Sequence, residues 1–239
     1  MKREIAQLNK RFKHHSATDV LTAVLRDRLI GNVVLVSSFG AESVALIHLS
    51  AMVSKDIPIV MIDTHYLFTE TLVYQQEIIE RLGLKNLRII TAQQDVLDAQ
   101  DPYGALKFTN PDRCCHLRKT APLQQVLEGY SGWITGRKRF QNQTRATLDF
   151  FEYDEATGHV KINPLAHWSV QDVQTYMDEN RLPKNPLVAQ GYPSIGCAPC
   201  TSKVQNGEDP RSGRWRHFEK TECGLHDPHR KTEPLGDHS

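Results

Sequence analysis

The chain has no apolar run approaching the roughly 20 residues that a membrane helix needs. It also lacks an excess of charge of either sign: 29 Lys and Arg stand against 28 Asp and Glu, a net charge of +1. That balance argues against a bulk nucleic-acid or polyanion binder and leaves room for a local anion site. Internal repeats and low-complexity segments are missing. The opening MKREIAQLNKRFKHH is basic without an apolar stretch, so it is expected to be an amphipathic first helix and not a secretory signal. A cytoplasmic protein with no membrane partner is expected, and there structural disulfides are rare. Cysteine is scarce, with five in 239 residues. Two of the five are nevertheless adjacent, in DRCCHLRK (112–119), which in such a chain points to metal or redox chemistry.

What is present is ordinary for a globular protein, 39% hydrophobic and 24% charged, with length for one large domain or one domain and a tail. NVVLVSSF (32–39) is a short β-branched apolar run and predicts a buried strand. GAESVALIHLSAMVS (40–54) is apolar nearly all round and suits a buried helix. IPIVMID (57–63) predicts a second strand, FTETLVYQQEIIERLGL (68–84) an amphipathic helix ending at Gly83, and NLRIITA (86–92) a third strand. A helix over 114–127 and a strand at GWITG (132–136) follow. This alternation implies a doubly wound, mostly parallel α/β sheet with helices on both faces and ligands beyond the carboxyl ends of its strands. TLDFFEYD and HVKINPL then predict two short strands around a turn at Thr157-Gly158. SVQDVQTYMDEN (169–180) predicts a helix with Ser169 and Asp172 in capping-box spacing. From Pro183 the chain is rich in Pro, Gly and charge and is expected to wrap over the domain as an irregular flap. The expected division is an N-terminal helical segment (1–30), a nucleotide-binding α/β domain (31–182) and a flap segment (183–239).

Three turns fall on the predicted ligand edge. SSFGAES (37–43) joins strand to helix with small residues and offers free helix N–H groups, either as an anion site or as a plain βα turn. It lacks the Gly-Lys-Ser/Thr ending of a Walker loop. IDTHYLFTET (62–71) ends the second strand and also reads as a helix cap. GRKRFQNQTRA (136–146) carries Arg137, Lys138, Arg139 and Arg145 beyond the fourth strand, where phosphate or sulfate contact competes with a bland basic loop. Cys114-Cys115 and Cys197-Ala198-Pro199-Cys200 make two close thiol pairs, a metal site by spacing. Zinc knuckles separate their ligands to form a tight turn. An adjacent pair instead suits neighbouring irons of a cluster, which takes four thiolates. Cys223, in KTECGLH, is left over among cations that favour a nucleophilic thiolate, although lone cysteines near a terminus are more often inert.

Together these elements resemble the assimilatory sulfonucleotide reductases, in particular the cluster-bearing adenylyl-sulfate (APS) reductases, over roughly residues 30 to 226. SSFGAES resembles their phosphosulfate loop, CCHLRKTAPL their Cys-Cys-x-x-Arg-Lys-x-x-Pro-Leu element, and GRKRFQNQTRA their arginine loop. GYPSIGCAPCTSKV and GEDPRSGRWRHFEKTECGLH are similar to their C-terminal half nearly word for word. The resemblance implies an adenine-nucleotide α-hydrolase-like fold and a 4Fe–4S cluster on Cys114, Cys115, Cys197 and Cys200. It implies substrate contacts from Ser37, Phe39, Gly40, Ala41, Glu42, Ser43, Asp63, Thr64, Gly136, Arg137, Lys138, Arg211 and Arg214. Lys119 would stand between cluster and substrate, and Cys223 would be the nucleophile. The implied reaction reduces APS to sulfite and AMP through an S-sulfocysteine, with thioredoxin or glutaredoxin as thiol donor, in sulfate assimilation. The chain has His65 where the family usually has Gly, and Phe140-Gln141-Asn142-Gln143-Thr144 where Asp-Gln-Ser is usual.

Three other readings stand beside this one. A 3′-phosphoadenylyl-sulfate (PAPS) reductase typically lacks both cysteine pairs, although Lys138 or Arg139 could serve a 3′-phosphate. An AMP-forming tRNA thiolase or ligase typically shows Ser-Gly-Gly-x-Asp-Ser, which Ser-Phe-Gly-Ala-Glu-Ser does not match. A zinc-stabilised nucleotide-binding module would need no catalysis. A homo-oligomer is compatible with all of them.

Overall fold

The computed structural model describes residues 1–220 and 222–226. Within the expected flap segment, Thr221 and residues 227–239 lie outside the described residues. Six strands form a single sheet: β1 (Val33–Val36), β2 (Ile59–Ile62), β3 (Leu87–Ile90), β4 (Gly132–Ile134), β5 (Phe151–Asp154) and β6 (His159–Ile162). Their spatial order is β3-β2-β1-β4-β6-β5. All neighbours are parallel except the β5–β6 hairpin at one edge. β1 reads VVLV and β2 reads IVMI, because central strands bury both faces. β4 and β6 pack backbone to backbone at Gly132, where a Cβ would come within 2.6 Å of the Val160 carbonyl oxygen.

The helices are α1 (Lys2–Phe12), α2 (Ala17–Leu25), α3 (Ser43–Val53), α4 (Thr69–Leu82), α5 (Gln94–Gln100), α6 (Leu106–Thr109), α7 (Pro111–Cys115), α8 (Ala121–Leu127), α9 (Val170–Glu179) and α10 (Pro186–Ala189). Strand alternation sorts the core into two faces. Leu35, Ile59, Met61, Ile134 and Ile162 face α1–α4 and α9, which contribute Phe12, Leu21, Ile47, Ile78 and Val173. Val34, Val60, Ile62 and Trp133 face α8 through Leu123 and Leu127, and Leu225 from the C-terminal arm packs there as well. The predicted strands are all present but shorter than expected, since Ser37–Phe39 leave the sheet to build the first turn. Residues 1–30 form two helices, the second opened by a Ser16–Asp19 capping box, and they pack into the main core. Asn9 exchanges two hydrogen bonds with the Phe151 backbone, tying α1 to β5. The Ser169–Asp172 capping box of α9 forms as its spacing predicts. Gly83 closes α4 in the left-handed conformation at φ +63°.

The helix expected at 114–127 starts earlier, at Pro111, where the Asn110 side chain accepts from the Arg113 N–H at 3.0 Å. It carries a π turn at His116–Thr120 between α7 and α8. Such single π turns concentrate at functional sites.

Candidate active site

The chain runs from β1 outward to β3, then returns to place β4 on the other side of β1. The crevice between the carboxyl ends of β1 and β4 is therefore the switch point where doubly wound folds bind ligands. Ser37–Ser43 and Gly136–Lys138 flank it, and Asp63–Thr64 follow β2 next door.

The first turn is held from within. Ser37 Oγ accepts the Phe39 N–H at 3.1 Å, Ser43 Oγ donates to the Gly40 carbonyl at 3.0 Å, and Asn185 donates to the Phe39 carbonyl. Phe39 adopts φ +48° and its side chain is wholly buried in the core. Of the residues expected at the substrate, Phe39 thus offers only backbone. Glu42, at the start of α3, makes no side-chain cap, so α3 presents its first turn uncapped by side chains. Its carboxylate accepts instead from Lys138 Nζ at 2.8 Å and from Gln141 at 3.2 Å.

The cations of the arginine loop are mostly engaged. Lys138 is buried on Glu42, and burial depresses its pKa against the pull of that carboxylate. Arg137 pairs with Glu152 and with Asn163 Oδ1 at 3.2 Å. Arg139 is turned outward to Asp149. The expected service of Lys138 or Arg139 to a 3′-phosphate therefore meets two occupied side chains. Arg145 reaches across to the C-terminal arm and pairs with Glu222.

After β2, the Asp63 carboxylate accepts the His65 N–H at 2.8 Å. Thr64 Oγ1 lies 3.2 Å from Cys197 Sγ, and the Ala198 N–H donates to the Tyr66 carbonyl at 2.7 Å. This stretch and the Cys197–Cys200 loop are thus built as one unit. His65 sits at φ +63°, the left-handed region that glycine adopts freely. Its departure from the family pattern carries a backbone cost, so His65→Gly is expected to raise stability by about 1 kcal/mol. A urea unfolding midpoint that is unchanged or lowered would contradict this.

Cys114, Cys115, Cys197 and Cys200 are all free thiols. They line one pocket with Lys119, Arg118, Lys107, Thr64 and Tyr66. Among the described residues, no three His, Cys, Asp or Glu side chains converge as a single ion requires. Burial pushes the Cys114 thiol up to about 11, with the Arg118 charge opposing. Arg118 itself is buried, pairs with Asp101 at 2.9 Å and stacks on Tyr66. The α7–π-turn helix brings Cys114, Cys115, Arg118 and Lys119 to the same cavity wall.

Cys223 lies beside this wall and is held well below the ordinary thiol range. The largest cause is the hydrogen bond from Cys115. Burial opposes it, and Lys119, the Leu225 N–H and Arg214 add to it. Cys115 is raised by the same bond and by burial. Lys119 is held charged: burial works against it, and the sulfurs of Cys197, Cys223 and Cys115 outweigh that burial. Lys220 is likewise held charged against burial, first by Cys115 and then by Asp112. Arg211 lies 3.7 Å from Glu222. Arg214 lies over Gly196, donates to the Ile195 carbonyl at 3.3 Å and stacks on Trp215 at 4.3 Å. Among the described residues its buried Nε has no hydrogen-bond partner, a donor left for something else to satisfy.

Cys223, Lys119 and Arg214 therefore converge beside the four-cysteine cavity, while the β1 and β4 turns flank the crevice. Sequence reasoning overlooked Glu222, Arg118, Tyr66 and Lys107. Glu222 is adjacent to the expected nucleophile and Arg118 lies within the quoted CCHLRK element, so both were within reach. Nothing local singles out Tyr66 or Lys107.

Residues 32–203 match the phosphoadenosine phosphosulfate reductase domain. An adenosine 5′-phosphosulfate reductase of Chelativorans sp. (strain BNC1) is 45% identical over 227 residues, 94% of this chain and 91% of its own length. One from Rhodococcus erythropolis is 48% identical over 76% of this chain and 73% of its own. The crystal structure of phosphoadenylyl-sulfate reductase from Candida auris, a phosphate complex, superposes with a TM-score of 0.69 at 26% identity, covering 85% of this chain and 98% of that one. The sheet order and these likenesses agree: the chain belongs to the phosphoadenosine phosphosulfate reductase family.

Proposed function

We propose that the chain reduces adenosine 5′-phosphosulfate to sulfite and AMP, with Cys223 as nucleophile and a thioredoxin or glutaredoxin dithiol as reductant. The observation that carries the reading is the placement of Cys223, against Cys115 and beside Lys119 and Arg214, at the edge of the four-cysteine cavity. Relatives at 45% and 48% identity bear the name of this enzyme. We propose with it a reducing, cytoplasmic setting, which suits five free thiols. The functional division is residues 31–182 for the nucleotide and 183–239 for cluster ligands and flap, with 1–30 as support.

The phosphosulfate lies at the uncapped start of α3, against Ser37 Oγ and the backbone from Phe39 through Gly40 and Ala41 to Ser43. Asp63 and Thr64 border the nucleoside. Gly136, Arg137 and Lys138 shape the opposite wall, with Lys138 holding Glu42 in place. Lys119, Arg211 and the orphaned Nε of Arg214 face the anionic oxygens, so that a thiolate can approach a group of its own sign. Cys223 Sγ attacks the sulfate sulfur, the S–O bond to the phosphate breaks, and AMP departs with that electron pair. A donor thiolate then attacks Cys223 Sγ and expels sulfite, and the donor's second thiol restores Cys223. The dithiol is oxidised to a disulfide and supplies both electrons.

The cysteines fit a 4Fe–4S cluster by chemistry. Four reduced thiols line one pocket, no carboxylate lines it among the described residues, and Arg118, Lys119 and Lys107 stand by to balance a thiolate-rich centre. Cys114, Cys115, Cys197 and Cys200 would hold it, and when bound it would supply a fixed charge centre behind Lys119.

The engagement of Lys138 with Glu42 and of Arg139 with Asp149 leaves neither free for a 3′-phosphate and favours APS over PAPS. Sulfite release measured with each nucleotide, in the presence of thioredoxin, tests this. Turnover of APS is expected, with kcat/KM for PAPS at least about 100-fold lower, the penalty of about 2.7 kcal/mol for an unmatched charged group. Equal rates would remove the APS preference, and no sulfite from either nucleotide would remove the function.

A further inference from the structure

Of the four cations on the arginine loop, only Arg145 is bound to the C-terminal arm among the described residues. Arg145 Nε donates to Glu222 Oε1 at 2.7 Å and Nη2 donates to Oε2 at 2.6 Å, a two-pronged pair with both side chains 8% exposed. Asn142 Nδ2 and Thr144 Oγ1 donate to the same Oε1 at 3.4 and 3.3 Å. These two residues lie in the part of the loop that departs from the family pattern. Such a bidentate pair fixes direction as well as distance. Beyond Glu222, the arm continues with Cys223 against Cys115 and Gly224 against Thr120. It is anchored again by Lys161 Nζ on the Leu225 carbonyl at 3.4 Å and by His226 stacked on Trp133 at 5.6 Å. The nucleophile is thus suspended between anchors on both sides, and those on its N-terminal side are Glu222 on Arg145 and Lys220 on Asp112.

We infer that Glu222 is a positioning residue for the sulfonation step: through Arg145, with Asn142 and Thr144, it latches the arm so that the Cys223 sulfur is aimed into the crevice. This rests on the reading of Cys223 as nucleophile. The latch contributes no atom to bond breaking. Its burial favours the role, since without Arg145 the carboxylate is left with the longer Arg211 contact at 3.7 Å and the arm loses its two-pronged hold. Burial alone would raise the Glu222 pKa, yet the Arg145 pair keeps it below the usual carboxylate range, so the pair is charged at neutral pH.

The test uses the full chain mixed with APS without reductant, following the S-sulfonate on Cys223 by intact mass. Glu222→Gln keeps the shape and removes the charge. It is expected to slow adduct formation at least about tenfold while AMP affinity stays within about threefold, a split that marks lost positioning rather than lost binding. Arg145→Gln is expected to give the same slowing, and the double variant no more than either alone, because each residue acts through the other. Alkylation of Cys223 by iodoacetamide, read by mass on its peptide, needs no turnover and is expected to be several-fold faster in Glu222→Gln. An adduct rate or an alkylation rate equal to the unchanged chain's overturns the latch. So does multiplicative loss in the double variant, or AMP affinity falling in step with the adduct. If the unchanged chain itself forms no adduct, the nucleophile reading falls, and the alkylation rates still decide whether Glu222 docks the arm.

Discussion

Cys223→Ser is expected to yield a protein that binds nucleotide, acquires no sulfonate and releases no sulfite. The change replaces one atom. The arm keeps its Glu222–Arg145 latch and its Trp133–His226 stack, so the fold is undisturbed. What disappears is the sulfur nucleophile, whose anion Lys119, the Leu225 N–H and Arg214 favour. A serine hydroxyl in the same place stays protonated. Removing an activated nucleophile costs at least about 10⁴-fold in turnover where binding and electrostatic stabilisation are left intact. Sulfite assay and intact mass after mixing with APS check this together. Full sulfite production by the serine variant would falsify the role of Cys223.

The second large effect falls on the cysteine cavity. Cys197→Ser is expected to lose iron and labile sulfide, and turnover is expected to fall by at least about 100-fold, the upper end of what outer-shell partners of a metal cost by themselves. Cys197 is tied to Thr64 and bridged to Leu67, so it joins the C-terminal segment to the β2 turn. It lies outside both main core clusters, so the α/β sheet should persist and circular dichroism should change little. Iron, zinc and acid-labile sulfide are measured on both proteins. Zinc without sulfide in the unchanged chain would remove the cluster, and iron retained by the variant at normal turnover would remove Cys197 from the ligand set.

The strands were legible because their signals are local. A buried central strand is apolar at every position, as in VVLV and IVMI, and its turn residues stand beside it. The capping box at Ser169 and the left-handed glycine at Gly83 depend only on neighbours four residues away or fewer. The π turn at His116–Thr120 was not legible, since it is one residue of extra winding in a stretch whose composition is helical throughout. The short helices α5, α6 and α10 were overlooked for a related reason: at 7, 4 and 4 residues, they span too few turns to show a period.

The substrate turns could be ranked on the ligand edge from the βαβ order alone, but which cations remain available there could not. Lys138 and Arg139 read as equivalent loop cations. Their partners are Glu42, 96 residues away, and Asp149, on the outer side of the loop.

By itself the sequence determined the sheet's strands, the ligand edge, the leftover cysteine and the family, because periodicity, spacing and motif are properties of neighbouring residues. Tertiary structure alone decided which charges meet. Glu222 lies 77 residues from Arg145, and Thr64 lies 133 residues from Cys197. Whether a buried carboxylate is paired, a thiol ionised or a lysine free depends on distances of a few ångströms between segments far apart in the chain. Those distances are set by how the arm and the cysteine loop pack on the sheet, a property of no single stretch.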